Sequence, residues 1–174
     1  MRGEVLLQIH CYRADEMAVM LDIATEFGFR ISAFHHGVEA YKVAGELAQR
    51  GVCGALWSDR WGSKAEAWDG IQENIALVDR AKDGCAIVHS DSAEGIQRLN
   101  QEAAKAMARG KRAGLDIPPE RAIRWLTSNA ARALGKACDV IGIAICVMLL
   151  VRPRGILGEA GTVSRHIDTG SSGK

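Results

Sequence analysis

Four of the chain's five histidines stand where short apolar runs break off: His10 after Val5 to Ile9, His35 and His36 after Phe29 to Phe34, and His89 after Ala86 to Val88. Asp91 follows His89 by two residues. A further run, Val52 to Trp57, ends in a polar turn that holds Asp59, Trp61 and Lys64. Two imidazoles and a carboxylate delivered from separate strands form the donor set that a borderline-soft divalent ion such as zinc takes, with water completing the coordination. Asp91 also has a plainer reading: with Glu94 three residues on, it fits a capping box that satisfies the first N–H groups of a helix.

The elements that must position these residues repeat. Each apolar run is short and suited to a strand, and each is followed by a stretch with helical spacing. Met17, Met20, Leu21, Ala24 and Phe27 recur on one helical face, with Asp15 and Glu16 at the positive end of the helix dipole and Gly28 available as a left-handed cap. A helix is predicted over about Val38 to Arg50, closed by Gly51. Others are predicted through Ile75, Leu77 and Val78 to about Arg80, and from Glu94 to Arg109. Four strand–helix units at intervals of roughly 25 to 30 residues imply parallel strands with right-handed crossovers, in either an open doubly wound sheet or part of a (β/α)8 barrel. Such a unit collects ligands at the carboxyl ends of its strands, where His10, His36, His89 and Asp91 fall. Pro118-Pro119-Glu120 then opens a further helix, with Ala122, Ile123, Leu126, Ala130, Ala133 and Leu134 as one apolar stripe that Gly135 ends.

Composition narrows the function classes. A length of 174 residues, 48% hydrophobic and 25% charged, is that of a globular chain with a real core. Its 22 basic and 21 acidic residues are interspersed, which gives no footprint for nucleic acid or an anionic membrane. Cys11, Cys53, Cys85, Cys138 and Cys146 show neither zinc-knuckle spacing nor a disulfide framework, so reduced thiols are expected. The short run before His10 is no signal-peptide core, and a cytoplasmic location is the default. Residues 136–174 change character, with an apolar block from Ile141 to Val151 that is too short to span a bilayer and a Gly/Ser-rich end expected to be partly disordered.

The segments Gln8-Ile9-His10-Cys11-Tyr12-Arg13-Ala14-Asp15-Glu16, Ala33-Phe34-His35-His36-Gly37-Val38-Glu39-Ala40-Tyr41-Lys42 and His89-Ser90-Asp91-Ser92 resemble strands five, six and eight of the amidohydrolase superfamily, nearest its imidazolonepropionase-like members. The run Thr127-Ser128-Asn129-Ala130-Ala131-Arg132-Ala133-Leu134-Gly135 is similar to the Thr-x-Asn-x-Ala-x-x-Leu-Gly close of that barrel. The resemblance implies an α/β fold: a partial, half TIM-type (β/α)8 barrel over residues 1–135 with parallel strands five to eight, then C-terminal helices and a divergent tail over 136–174. It implies a metal-dependent hydrolase of C–N bonds other than peptide bonds, acting on a small amide or cyclic amide. Carried over by position, His10, His36 and Asp91 are metal ligands, with zinc expected and one or two ions in the full-length family. Asp91 is also the catalytic base.

Trp57, Trp61 and His35 are candidates for a substrate pocket, with packing as the alternative role of the tryptophans. The family's strand-one His-x-His pair and its strand-four lysine or glutamate have no counterpart here. A chain of this kind reads as a truncated barrel. The alternative is a catalytically silent half-barrel subunit that pairs with a second copy or with a complementary N-terminal half, because its sheet edges are open.

Overall fold

The computed structural model describes residues 5–60 and 62–136. Four strands alternate with helices: β1 (Leu7–Cys11), α1 (Ala14–Phe27), β2 (Ile31–His36), α2 (Ala44–Gln49), β3 (Cys53–Leu56), α3 (Asn74–Arg80), β4 (Ala86–Val88) and α4 (Leu99–Arg112), followed by α5 (Pro119–Arg124) and α6 (Ser128–Ala133). The strands lie in sequence order and every neighbouring pair is parallel. This sequential order is that of a partial (β/α) barrel, as the family resemblance implies, and not of an open doubly wound sheet, which the repeat alone also allows.

Alternation along the strands divides the core in two. Phe34, Leu56, Ala86 and Val88 face the helices, where Met17, Leu21 and Ala24 of α1 and Ile75 and Val78 of α3 meet them. Each large aliphatic side chain buried there contributes about 1.5–3 kcal/mol. The opposite face is lined by small residues, Ala33, Cys53, Ala55 and Cys85 with Ile87, and α6 lays Ala130 and Ala133 on it. Gly28 takes the left-handed conformation at φ 67° and its N–H donates to the Ala24 carbonyl, ending α1 as its position suggests.

Several expectations are corrected. The first three strands begin and end one or two residues later than the apolar runs suggest or are slightly shorter, so His10 lies inside β1 and His36 closes β2. The helix expected over Val38 to Arg50 is a 3-10 turn, Ala40–Val43, followed by the short α2. The helix expected from Glu94 likewise starts with a 3-10 turn, Gly95–Arg98. The single helical stripe from Pro119 to Leu134 is broken into α5 and α6 around Leu126 and Thr127, because Trp125 turns inward and is fully buried.

Cys53 and Cys85 are not free thiols but form a disulfide. They are 32 residues apart in sequence, yet pairing of Gly54 with Ala86 sets them side by side on adjacent strands, a proximity that no local spacing reveals. The expectations for the tail, including Ile141 to Val151 and the boundary after residue 135, fall on residues 137–174 or depend on them, outside the described residues. Among the described residues no helix is long and apolar enough to cross a membrane.

Candidate metal centre

The carboxyl ends of the four strands bring His10, His35, His36, His89 and Asp91 to one mouth. Pairing of β1 with β2 sets His10 opposite His35, and their rings stack at 5.3 Å. Strict alternation would send His36 to the other side of the sheet from His35. Instead its φ is 71°, a left-handed conformation that costs a non-glycine residue on the order of 1–3 kcal/mol. That turn carries the His36 ring to 4.7 Å from His10 and 5.3 Å from His89. Gly37 follows at φ 41°, where a Cβ would lie 2.5 Å from the Leu56 side chain, so the turn admits no side chain there.

The turn is held from behind. Asn74, buried at the start of α3, donates through Nδ2 to the Gly37 carbonyl at 2.8 Å and accepts from the Tyr41 N–H at 2.9 Å. Buried Glu39 accepts from the Ala14 N–H at 2.9 Å, satisfying the first turn of α1 in place of a local cap. These residues fix His36 without touching a ligand. Glu39 stands within the segment that carries the family resemblance; Asn74 has no sequence signal, since its role depends on meeting a turn 37 residues away.

His36 Nδ1 lies 3.1 Å from Asp91 Oδ2, and His89 Nε2 lies 3.0 Å from Asp91 Oδ1. Neither approach has the direction of a hydrogen bond, and both nitrogens are buried without a hydrogen-bond partner. On its other side His36 Nε2 is 2.6 Å from His10 Nδ1. His36, His89 and Asp91 each offer one donor atom, and the three atoms lie within 4.8 Å of one another. Burial drives the His36 pKa down to about 4, against the opposing pull of Asp91, with the neighbouring histidines lowering it further. Burial also lowers those of His89 and His35. The rings are therefore neutral near pH 7, the form that ligates a metal. Two orphaned imidazole nitrogens facing one carboxylate fit a divalent ion such as zinc.

The sequence trio is thus brought together as a chain of contacts, His10 to His36 to Asp91, while the tightest convergence substitutes His89 for His10. Asp91 forms no capping box: Ser92 Oγ accepts from the Gly95 N–H at 3.1 Å and takes that role. His35 binds Gln8 Oε1 through Nε2 at 2.7 Å, beside the mouth. Trp57 is buried, with its ring 4.8 Å from His36. Trp61 lies outside the described residues, and Trp68, later in the same turn, is exposed. Tyr12, which the sequence reading passed over, stacks on His36 at 4.9 Å. Cys11 is buried and its thiol is pushed up to about 11, by burial first and by Glu16 next, which makes it a poor nucleophile.

No family model matches the chain. A curated relative, amidohydrolase tasK of Hapsidospora irregularis, is 29% identical over 140 residues, covering 78% of this chain and 14% of that protein. The crystal structure of an amidohydrolase from Thermotoga maritima MSB8 superposes with a TM-score of 0.63 at 29% identity, covering 77% of this chain and 33% of that one. Fold and mouth together define a partial α/β barrel with a candidate metal centre at the carboxyl ends of its strands. Both likenesses support the amidohydrolase superfamily as its family, and the chain spans only a part of each relative.

Proposed function

We propose that the chain carries the C-terminal half of a metal-dependent amidohydrolase barrel over residues 1–135, with His36, His89 and Asp91 as ligands of a divalent metal, most simply zinc, and His10 orienting His36. The observation that carries this is the convergence of His36, His89 and Asp91 within 4.8 Å at the carboxyl end of a parallel sheet, in a chain that resembles amidohydrolases. When bound, the metal supplies Lewis acidity toward water and toward the carbonyl of a C–N bond. Asp91, its side chain 38% exposed at the mouth, accepts the proton of the attacking water and returns it to the leaving nitrogen. His36, held by Asn74 behind its turn, keeps one nitrogen toward Asp91; His35 and Trp57 wall the space for a small amide or cyclic amide.

A second reading follows from the open edge of β1: the half-barrel is silent alone and acts with a chain that carries the missing strands. Assay of the purified protein with zinc against amides, cyclic ureides and acyl amino acids separates the two. Turnover that vanishes in Asp91→Asn establishes activity of the chain alone. Stoichiometric zinc lost in His36→Ala, without turnover, establishes the silent half. A folded protein that binds no zinc refutes the metal centre.

A further inference from the structure

A buried amide ties the turn that carries His36 to the segment that carries the other two donors. Asn74 opens α3, and α3 leads through residues 81–85 into β4 and on to His89 and Asp91. The residue is 3% exposed, and its side chain reaches across to the end of β2 rather than along its own helix. Nδ2 donates to the Gly37 carbonyl, which also accepts from the Ala40 N–H at 2.9 Å, so both lone pairs of that oxygen are used. Oδ1 accepts from the Tyr41 N–H in the first turn of the Ala40–Val43 segment, which has no side-chain cap of its own. One orientation of an amide satisfies both groups. A carboxylate meets only the N–H, and an aliphatic side chain meets neither.

The end of β2 needs such a tie. His36 still pairs in register with Cys11 and Leu56, so an extended backbone there would send its ring to the helix side of the sheet with Phe34. The left-handed φ of 71° turns the ring to the mouth instead, and a backbone of that kind persists only where its surroundings hold it. The Gly37 N–H holds the turn to β1 through the Cys11 carbonyl at 3.0 Å. Asn74 holds it to α3, and so to the unit that delivers His89 and Asp91.

We propose that Asn74 is a positioning residue of the metal centre: by fixing the Gly37 carbonyl it selects the left-handed backbone of His36 and keeps that ring facing His89 and Asp91. The consequence for metal binding rests on the metal-centre reading of the mouth. The consequence for the His36 backbone concerns the metal-free protein and is independent of it.

The test compares the full chain with Asn74→Asp and Asn74→Leu, which keep the branching of the side chain, and with Val78→Ala, one turn further along α3, as a control for lost packing. In the metal-free parent, NMR is expected to show at His36 the strong intraresidue amide–Hα NOE of a residue with positive φ. That NOE is expected to weaken in both Asn74 variants and to persist in Val78→Ala. Zinc affinity, measured by competition with a chromophoric chelator, is expected to fall about 10- to 100-fold in both Asn74 variants, the loss typical of a partner that orients a ligand. It is expected to stay near the parent value in Val78→Ala, and the visible spectrum of the cobalt(II)-loaded protein is expected to change only in the Asn74 variants. Circular dichroism checks folding, and either Asn74 variant suffices if the other does not fold. An unchanged His36 NOE in the Asn74 variants overturns the proposal. So does an equal loss of zinc affinity in Val78→Ala, because general loosening of α3 would then account for it. A parent that binds no zinc refutes the metal reading, and the NOE then decides the role of Asn74 alone: weakened in its variants it upholds that role, unchanged it overturns it.

Discussion

The two edges of the sheet face opposite situations. On β4 the outward main-chain groups are taken: the Val88 N–H donates to the Trp125 carbonyl at 3.1 Å, and Asn129 Nδ2 donates to the Ala86 carbonyl at 2.7 Å. The segment from α5 to α6 thus closes that edge without a strand. On β1 the Cys11 carbonyl accepts from the Gly37 N–H, which fixes the inward-facing residues of the ladder, and alternation leaves the main-chain groups of Gln8 and His10 facing away from the sheet. No described residue pairs with them. Beside that edge, Ile9, Val19 and Met20 line a groove of about 410 Å³, and Val19 is 57% exposed. One edge is finished by its own chain; the other has no partner among the described residues. Each edge also lends a histidine to the mouth, His89 beyond β4 and His10 within β1.

The largest effect is expected where that comparison reaches the mouth. If the finished edge holds the metal donor, His89→Ala removes a ligand, whereas His10→Ala removes a partner that orients His36. Loss of such an orienting partner lowers metal affinity by about 10- to 100-fold, so the zinc dissociation constant of His89→Ala should rise further than that of His10→Ala. Competition with a chromophoric chelator measures both. The reverse order would make His10 the ligand, as the sequence resemblance implies.

Stability should follow the finished edge. Trp125 is fully buried, and its carbonyl closes β4. Trp125→Ala is expected to destabilise the chain by about 3–5 kcal/mol. Asn129→Ala leaves the Ala86 carbonyl without its donor and is expected to cost about 1–3 kcal/mol. Urea unfolding followed by circular dichroism checks both. A change below the range for Asn129→Ala would show that water replaces the amide and that the edge is less closed than it stands here.

The strand–helix repeat and the residues that gather at the strand ends are legible in the sequence, because periodicity and the placement of His10, His36 and Asp91 are local signals; the order of the strands is legible only through the family resemblance, since the repeat fits a doubly wound sheet as well. Features that depend on partners distant in sequence are not legible. Cys53 and Cys85 meet only through the β3–β4 register. Asn74 and Gly37 meet only because α3 passes behind β2. His36 looked like one of two equivalent neighbours, and its left-handed backbone separates it from His35. The broken helix after Pro119 has the same origin: the apolar stripe is present, but burial of Trp125 and the pull of Asn129 on Ala86 outweigh helical continuity.

The smallest effect on the chain itself tests the open edge. Val19 sits on the exposed face of α1, and lysine has the better helix propensity, so Val19→Lys should leave the unfolding free energy within about 0.5 kcal/mol of the parent. Its consequence should appear only with a partner. The proposed occupant of the groove is a further strand–helix unit of the same kind of barrel, because a parallel strand added to β1 brings its crossover helix against α1. A lysine covered there would have to leave most of its water, with Asp15 and Glu16, one turn before it on α1, as its nearby counter-charges. Sedimentation with the amino-terminal half of the Thermotoga maritima amidohydrolase should show association of the parent and a weaker complex with Val19→Lys. Association that is indifferent to the substitution would place the contact elsewhere, and the β1 edge would then be open to solvent rather than to a partner.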